Sequence, residues 1–348
     1  MFIEHRRDIL DTLVTMFSNL HNEKNKESSE DTFFEPINKH CDMLATQIAG
    51  AFVNLSATLN DSVIQAMRGA GVIKAILPWC KSEPIESPSH NEVVQELCIW
   101  CLRNLSRDDG CASSIISSSE TVLEMFLECL ECSVRAIQDY SLCILANITK
   151  LQGEMVVEKW KRIRKLAALI GQYLSSDFAA VQEGSARLLG QLALVLPGFP
   201  LEFLQSGHLS DLIDCLMSSS SDVVYSSLCA FSLMTAEEKI LERLANVQVF
   251  NRIVELLSES DSRIHLKAIQ VLKQFVSLSK GRELIFGLNN VEDLFFGLLT
   301  NLDSADVSSG AAKIVKSLSK KDERGVLLRK TLKERRDQSV VENEEYLA

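Results

Sequence analysis

Four carboxamides, Asn54, Asn104, Asn147 and Gln191, recur at similar places in a chain of 348 residues, each inside a stretch of apolar, small and polar residues: AFVNLSA, CLRNLSR, ILANITK and LLGQLAL. A carboxamide offers both a donor and an acceptor, which is what the unpaired N–H and C=O groups of an extended peptide require. A spaced row of them therefore suits recognition of a peptide main chain. The same side chains could instead satisfy nearby helix ends, a common role for Asn. Trp100 precedes Asn104 by four residues, one helical turn on the same face. Arg103 and Arg187 flank that face, where a guanidinium can make charge-assisted bonds to the carboxylates of an acidic partner or pair with a neighbouring Glu.

Other chemistries lack their residues. The six histidines, His5, His21, His40, His90, His208 and His265, are scattered without HExxH spacing, and no P-loop, G-x-G-x-x-G or G-x-S-x-G occurs. No enzyme activity, cofactor or small-molecule substrate is therefore expected. Cys98-x-x-Cys101 and Cys129-x-x-Cys132 match a zinc spacing in outline. Both pairs, however, lie inside helical patterns where Cys serves as a small apolar residue, so buried thiols are expected there and no metal.

These residues are positioned by a repeat. Three further stretches, AFSLMTA, LKQFVSL and IVKSLSK, extend the series and place Leu233, Phe275 and Ser317 at the position of the amides. Successive intervals are 50, 43, 44, 42, 42 and 42 residues, within the helical-repeat range of about 40–47 apart from the first. The first is lengthened by the Pro- and Ser-containing segment 81–91. Between signatures lies a second unit, a polar turn and then an amphipathic helix, as in GAGVIKAILPWC, WKRIRKLAALIGQYL and NVQVFNRIVELL. Ser/Asp-rich turns at 218–222 and 258–262 supply caps for the helices that follow. No single unit of this size can bury both of its apolar faces, so the units must stack.

Composition agrees with that architecture. Hydrophobic residues make up 46% and charged residues 24%, enough to build a core, while aromatics at 6% favour aliphatic helix packing over strands. The formal charge of −11 argues against nucleic acid as the main partner, because phosphate binding needs a cationic footprint. The most apolar stretch, 188–204, is interrupted by Pro197, Gly198 and Pro200 and carries Glu202, so no membrane span is expected. The first ten residues do not form a secretory signal, and ten Cys in an acidic chain without one imply reducing surroundings, hence a cytoplasmic location, with the nucleus also open.

The GAGVIKAIL turn and the WCLRNLS helix end resemble the armadillo repeat, and the resemblance extends from about residue 40 to about 335. It implies an all-α, right-handed superhelical solenoid of armadillo-type repeats, with HEAT repeats the nearest alternative. Residues 1–21 are expected to be the last helix of a partial repeat, with an apolar face at Ile9, Leu10, Leu13, Val14 and Phe17. Residues 22–39 are expected to be a flexible polar loop, 40–336 about seven repeats and 337–348 an acidic tail, with a capping helix of basic exposed face near 320–336.

In the armadillo family the Asn of each signature projects into a concave groove that binds extended peptides. The resemblance thus implies a scaffold or adaptor for other proteins, with Asn54, Trp100, Arg103, Asn104, Asn147, Arg187 and Gln191 in the groove. The Trp100–Asn104 pair is similar to the Trp–Asn ladder of importin-α, which makes a nuclear-import adaptor for basic peptides an alternative. Here the positions matching Trp100 hold Gly50, Cys143 and Arg187, so the ladder has a single Trp. A further alternative is a chaperone or regulatory module of a longer armadillo protein.

Overall fold

The computed structural model describes residues 2–26, 35–81, 91–151, 153–235, 238–244, 246–259, 261–301 and 305–346. The described chain is helical with no strand, and it forms two compact units, Met1–Leu166 and Ala167–Ala348.

In the first unit, α1 (Phe2–Lys26) leads into a recurring series of one long helix followed by two short ones. The long helices are α2 (Glu35–Ala57), α5 (Glu92–Leu105) and α8 (Arg135–Thr149). Between them lie α3 (Asp61–Gly69), α4 (Val72–Ile76), α6 (Asp109–Ser117) and α7 (Val122–Glu128), and α9 (Glu154–Lys161) follows α8. After α10 (Leu166–Leu174) the second unit repeats the pattern, with long helices α11 (Ala179–Val195), α14 (Ser221–Met234), α17 (Ser262–Phe275) and α20 (Ala305–Lys321). Its short helices are α12 (Phe199–Ser206), α13 (Leu209–Cys215), α15 (Glu238–Leu244), α16 (Val247–Leu256), α18 (Ser279–Phe286) and α19 (Val291–Leu299), and α21 (Glu323–Tyr346) closes the series. Every signature residue from Asn54 to Ser317 lies on a long helix.

Local sequence explains where helices start. Asn60 accepts from the backbone N–H of Ser62 and Val63, Asn91 from Val94, Asp108 from Cys111, Asn246 from Val249 and Asp261 from Arg263. Each satisfies a donor that the first helical turn leaves without an intrahelical partner. Gly71, at φ 82°, makes the turn into α4 in the left-handed region that Gly enters without a Cβ penalty. At the equivalent turn into α10 the chain uses Lys165 at φ 55°. That turn divides the expected helix WKRIRKLAALIGQYL: Trp160 ends up in α9, and α10 starts only at Leu166.

Long helices pack on long helices: α2 on α5 and α5 on α8 in the first unit, and α11, α14, α17, α20 and α21 in succession in the second. In the first unit Phe17 of α1 meets Phe52 of α2 edge-on at 5.6 Å and stacks on Trp79 at 5.1 Å. Leu10 and Phe17 are buried as the apolar face of α1 requires, but Ile9 is 61% exposed. The expected polar loop at 22–39 is helical at both flanks, since α1 runs to Lys26 and α2 begins at Glu35; 27–34 lies outside the described residues. Lys, Glu and Gln are good helix formers, so charge alone was a poor marker of a loop. The same reason lets α21 continue through 337–346, where an acidic tail was expected. Most of the segment held responsible for the first long interval, 82–90, lies outside the described residues.

Candidate functional site

The signature residues form a ladder inside the stack. Asn104 Nδ2 donates to Ser56 Oγ at 3.2 Å, and Asn147 Nδ2 donates to Ser106 Oγ at 2.9 Å. Ser56 and Ser106 stand two residues after Asn54 and Asn104, so the hydroxyl of one N-x-[S/T] signature accepts the amide of the next repeat. Thr149, at the same place after Asn147, accepts from Trp160 Nε1 at 2.9 Å. Asn104 is only 5% exposed, and its N–H group faces the preceding repeat. In the second unit the amide comes from Gln274, one residue before the signature position: its Nε2 donates to the Ser232 carbonyl at 2.8 Å, and Thr235 Oγ1 donates to its Oε1. Phe275 at the signature position is fully buried.

Removing one amide tests the ladder. Asn104→Ala is expected to destabilise the protein by about 1–3 kcal/mol, the cost of deleting a buried hydrogen-bonded group. Ser56 keeps a partner, since its Oγ also donates to the Val53 carbonyl at 2.8 Å. Urea unfolding of Asn104→Ala, Ser56→Ala and the double variant should give a coupling of about 1 kcal/mol. Additive losses would show that the bond carries no stability.

A second set of polar side chains, not anticipated from sequence, ties the long helices α5 and α8 to the helical segments before them. Gln95 Nε2 donates to the carbonyls of Cys80 and Lys81 at 3.3 and 3.2 Å, and Gln138 Nε2 to those of Leu130 and Cys132 at 2.9 and 2.8 Å. Both Gln residues stand nine residues before a signature Asn, and that regularity is visible in the sequence. They donate to orphan carbonyls at the end of the preceding helical segment.

With this framework accounting for Asn104 and much of Asn147, a different group is left at the surface of the first unit. Trp100 of α5, half-buried, stacks on Tyr140 of α8 with ring centroids 5.8 Å apart and planes 22° from parallel. The Arg103 guanidinium lies 5.8 Å from the centre of the same Tyr140 ring, within cation–π range. Burial, then Glu96 and Asp139, push the Tyr140 phenol up, and Arg103 opposes them, so the phenol stays protonated as a donor and acceptor. The cluster thus combines aromatic faces, a guanidinium and two carboxylates across consecutive long helices. Tyr140 lies outside the signature column, so the repeat pattern does not mark it. It stands seven residues before Asn147, two turns along the same helical face.

The other expected residues fall elsewhere. Asn54 is exposed at the end of α2. Arg187 and Gln191 belong to the second unit, both half-buried on α11, and Gln191 Oε1 is buried with no hydrogen-bond partner among the described residues. Cys98 and Cys101 are fully buried, and burial is the main cause that raises both thiols, Cys101 to about 12. Cys129 Sγ donates to the Cys80 carbonyl at 3.3 Å. Among the described residues no group of three or more His, Cys, Asp or Glu side chains is placed to hold a metal ion, and no helix is long and apolar enough to cross a membrane.

No family model and no curated protein matches the sequence. Solved structures do. An engineered protein from a structural genomics consortium superposes over 92% of this chain and 70% of its own, with a TM-score of 0.70 at 17% identity. A designed armadillo repeat protein covers 76% of this chain and 99% of its own, with a TM-score of 0.58 at 13% identity. Another designed armadillo repeat protein, determined in complex with the peptide (KR)4, covers 70% of this chain and 98% of its own, with a TM-score of 0.57 at 12% identity. The fold is therefore all-α and of the armadillo repeat type.

Proposed function

Taking the armadillo-type fold as premise, we propose that this protein is a binding scaffold that holds an extended segment of a partner protein against the long-helix face of its first unit, at Trp100, Arg103 and Tyr140. The observation that carries this reading is the half-buried Trp100–Tyr140 stack with Arg103 over the same ring, on two consecutive long helices. An extended segment crossing such a pair meets rigid aromatic surface at low entropic cost, a guanidinium for its carbonyls or carboxylates, and the Tyr140 hydroxyl. The designed relative solved with a peptide supports the use of an armadillo stack in this way.

In this reading Asn104 contributes chiefly by holding α5 against α2, and the exposed Asn54 stays open to a partner. Arg187 and Gln191 are assigned to a separate contact on the second unit. Nuclear-import recognition of basic peptides is the second reading, favoured by Glu96 and Asp139 beside Tyr140 and by the (KR)4 ligand of the designed relative.

The test is a pull-down from cell extract with wild-type protein beside Trp100→Ala, Arg103→Glu, with thermal melts to show that the fold persists. Partners anchored on this cluster should be lost, since truncating a buried aromatic or Arg anchor costs about 2 kcal/mol or more. An unchanged set of partners would remove the cluster from the interface. Anisotropy titrations with basic and acidic peptides then separate the readings: the import reading requires tight, salt-sensitive binding of the basic peptide, lost in Trp100→Ala.

A further inference from the structure

Charge is distributed unevenly. Between Lys313 and Arg336 the chain carries ten Lys and Arg against three carboxylates, although its net formal charge is −11. This segment spans α20 and α21, which pack on each other and, with the end of α19, enclose a groove of about 470 Å³ in the second unit. Val315 and Leu332, both nearly fully buried, form its floor together with Leu299. Lys316 rises from α20 on one side, and Arg329 and Lys333 rise from α21 on the other. All three cations are exposed and form no ion pair with another described residue. Val326, seven residues before Lys333 on the same face of α21, is 57% exposed and extends the apolar surface by about two turns.

We propose that this groove is a second docking site, for an acidic amphipathic segment of a partner protein whose apolar side chains enter between α20 and α21 and whose carboxylates pair with Lys316, Arg329 and Lys333. The apolar floor selects for such a segment over a plain polyanion, because burying it against sugar and phosphate would leave the apolar surface without complementary groups. Among the described residues no aromatic side chain lines the groove to stack a nucleic-acid base. A membrane surface could meet the exposed Val326 but would leave the recessed floor of Val315 and Leu332 unfilled. The site shares no residue with the Trp100 cluster, so either can fail alone.

The experiment uses the full chain and a fluorescein-labelled, helix-length peptide with Leu at helical i, i+3, i+4 and i+7 positions and Glu elsewhere, followed by anisotropy. Binding is expected, weakened by salt, and about tenfold or more weaker for Lys316→Glu, Arg329→Glu, Lys333→Glu, with an intermediate loss for the corresponding Gln variant. These side chains are exposed, so circular dichroism should show unchanged melting; a variant that melts early is replaced by the Gln variant for the comparison. Trp100→Ala should leave this binding unchanged. A peptide with Ser for Leu should lose it. The proposal is overturned if the wild-type protein does not bind the peptide, if the charge-reversed protein binds it equally, if the Ser peptide binds as well, or if a single-stranded oligonucleotide or phosphatidylserine vesicles bind more tightly.

Discussion

Trp160→Ala is expected to lower the stability of the first unit by about 3–5 kcal/mol, the range for deleting a fully buried large aromatic side chain. Trp160 is 1% exposed at the end of α9, and its indole N–H donates to Thr149 Oγ1, which itself donates to the Leu145 carbonyl at 2.6 Å. The side chain therefore fills space and also closes the polar ladder where α8 ends. Trp160→Phe separates the two roles: most of the volume stays, and the lost hydrogen bond should account for about 1 kcal/mol. Neighbouring Lys159 is held too, with Nζ donating to the Ser119 carbonyl at 2.6 Å, so α9 is anchored to the preceding repeat from two sides. Urea unfolding read by circular dichroism gives both numbers. Equal losses for Ala and Phe would mean that the hydrogen bond, and not the packing, dominates.

Gly281→Ala should be nearly as damaging in the second unit, by about 3 kcal/mol. Gly281 is buried in the first turn of α18, and a Cβ there would overlap the main-chain carbonyl of Phe275 at the end of α17. A backbone atom cannot rotate aside as a side chain can, so the turn between the two helices must open and disturb the seat of Phe275, which packs on Phe250 at 6.0 Å. Gly297, inside α19 with nothing within 4 Å of its would-be Cβ, is the internal control. There Ala should stabilise by about 0.5–1 kcal/mol, because the helix gains its propensity at no steric cost. If both substitutions moved stability in the same direction, the close approach at Gly281 would not be the controlling factor.

The repeat was legible because it rests on periodicity. The intervals between Asn104 and Ser317 stay near 42–44 residues, and the apolar spacing within each unit specifies a buried helical face whatever the partner surface is. The cap expected in the 258–262 turn was equally local, since Asp261 acts on an N–H group two residues away, whereas Ser220 in the 218–222 turn makes no side-chain cap bond to α14. Less was readable at the candidate site. An Asn on a signature helix looks the same in sequence whether its amide faces a ligand or the Ser56 hydroxyl of the preceding repeat. The choice turns on a distance across 48 residues of chain.

The sequence by itself determined an all-helical chain of stacked repeats, with a strongly basic stretch at 313–336 on an acidic whole, because these properties follow from composition and from spacing along one helix. The tertiary structure alone decided that Asn104 is a staple between repeats, that Gln274 supplies the amide where Phe275 was aligned, that Tyr140 joins Trp100 and Arg103, and that the basic residues of α20 and α21 rim an apolar groove. Each of these depends on how a long helix is rotated and offset against the next. That rotation is set by the packing of side chains far apart in the chain, which no local pattern encodes.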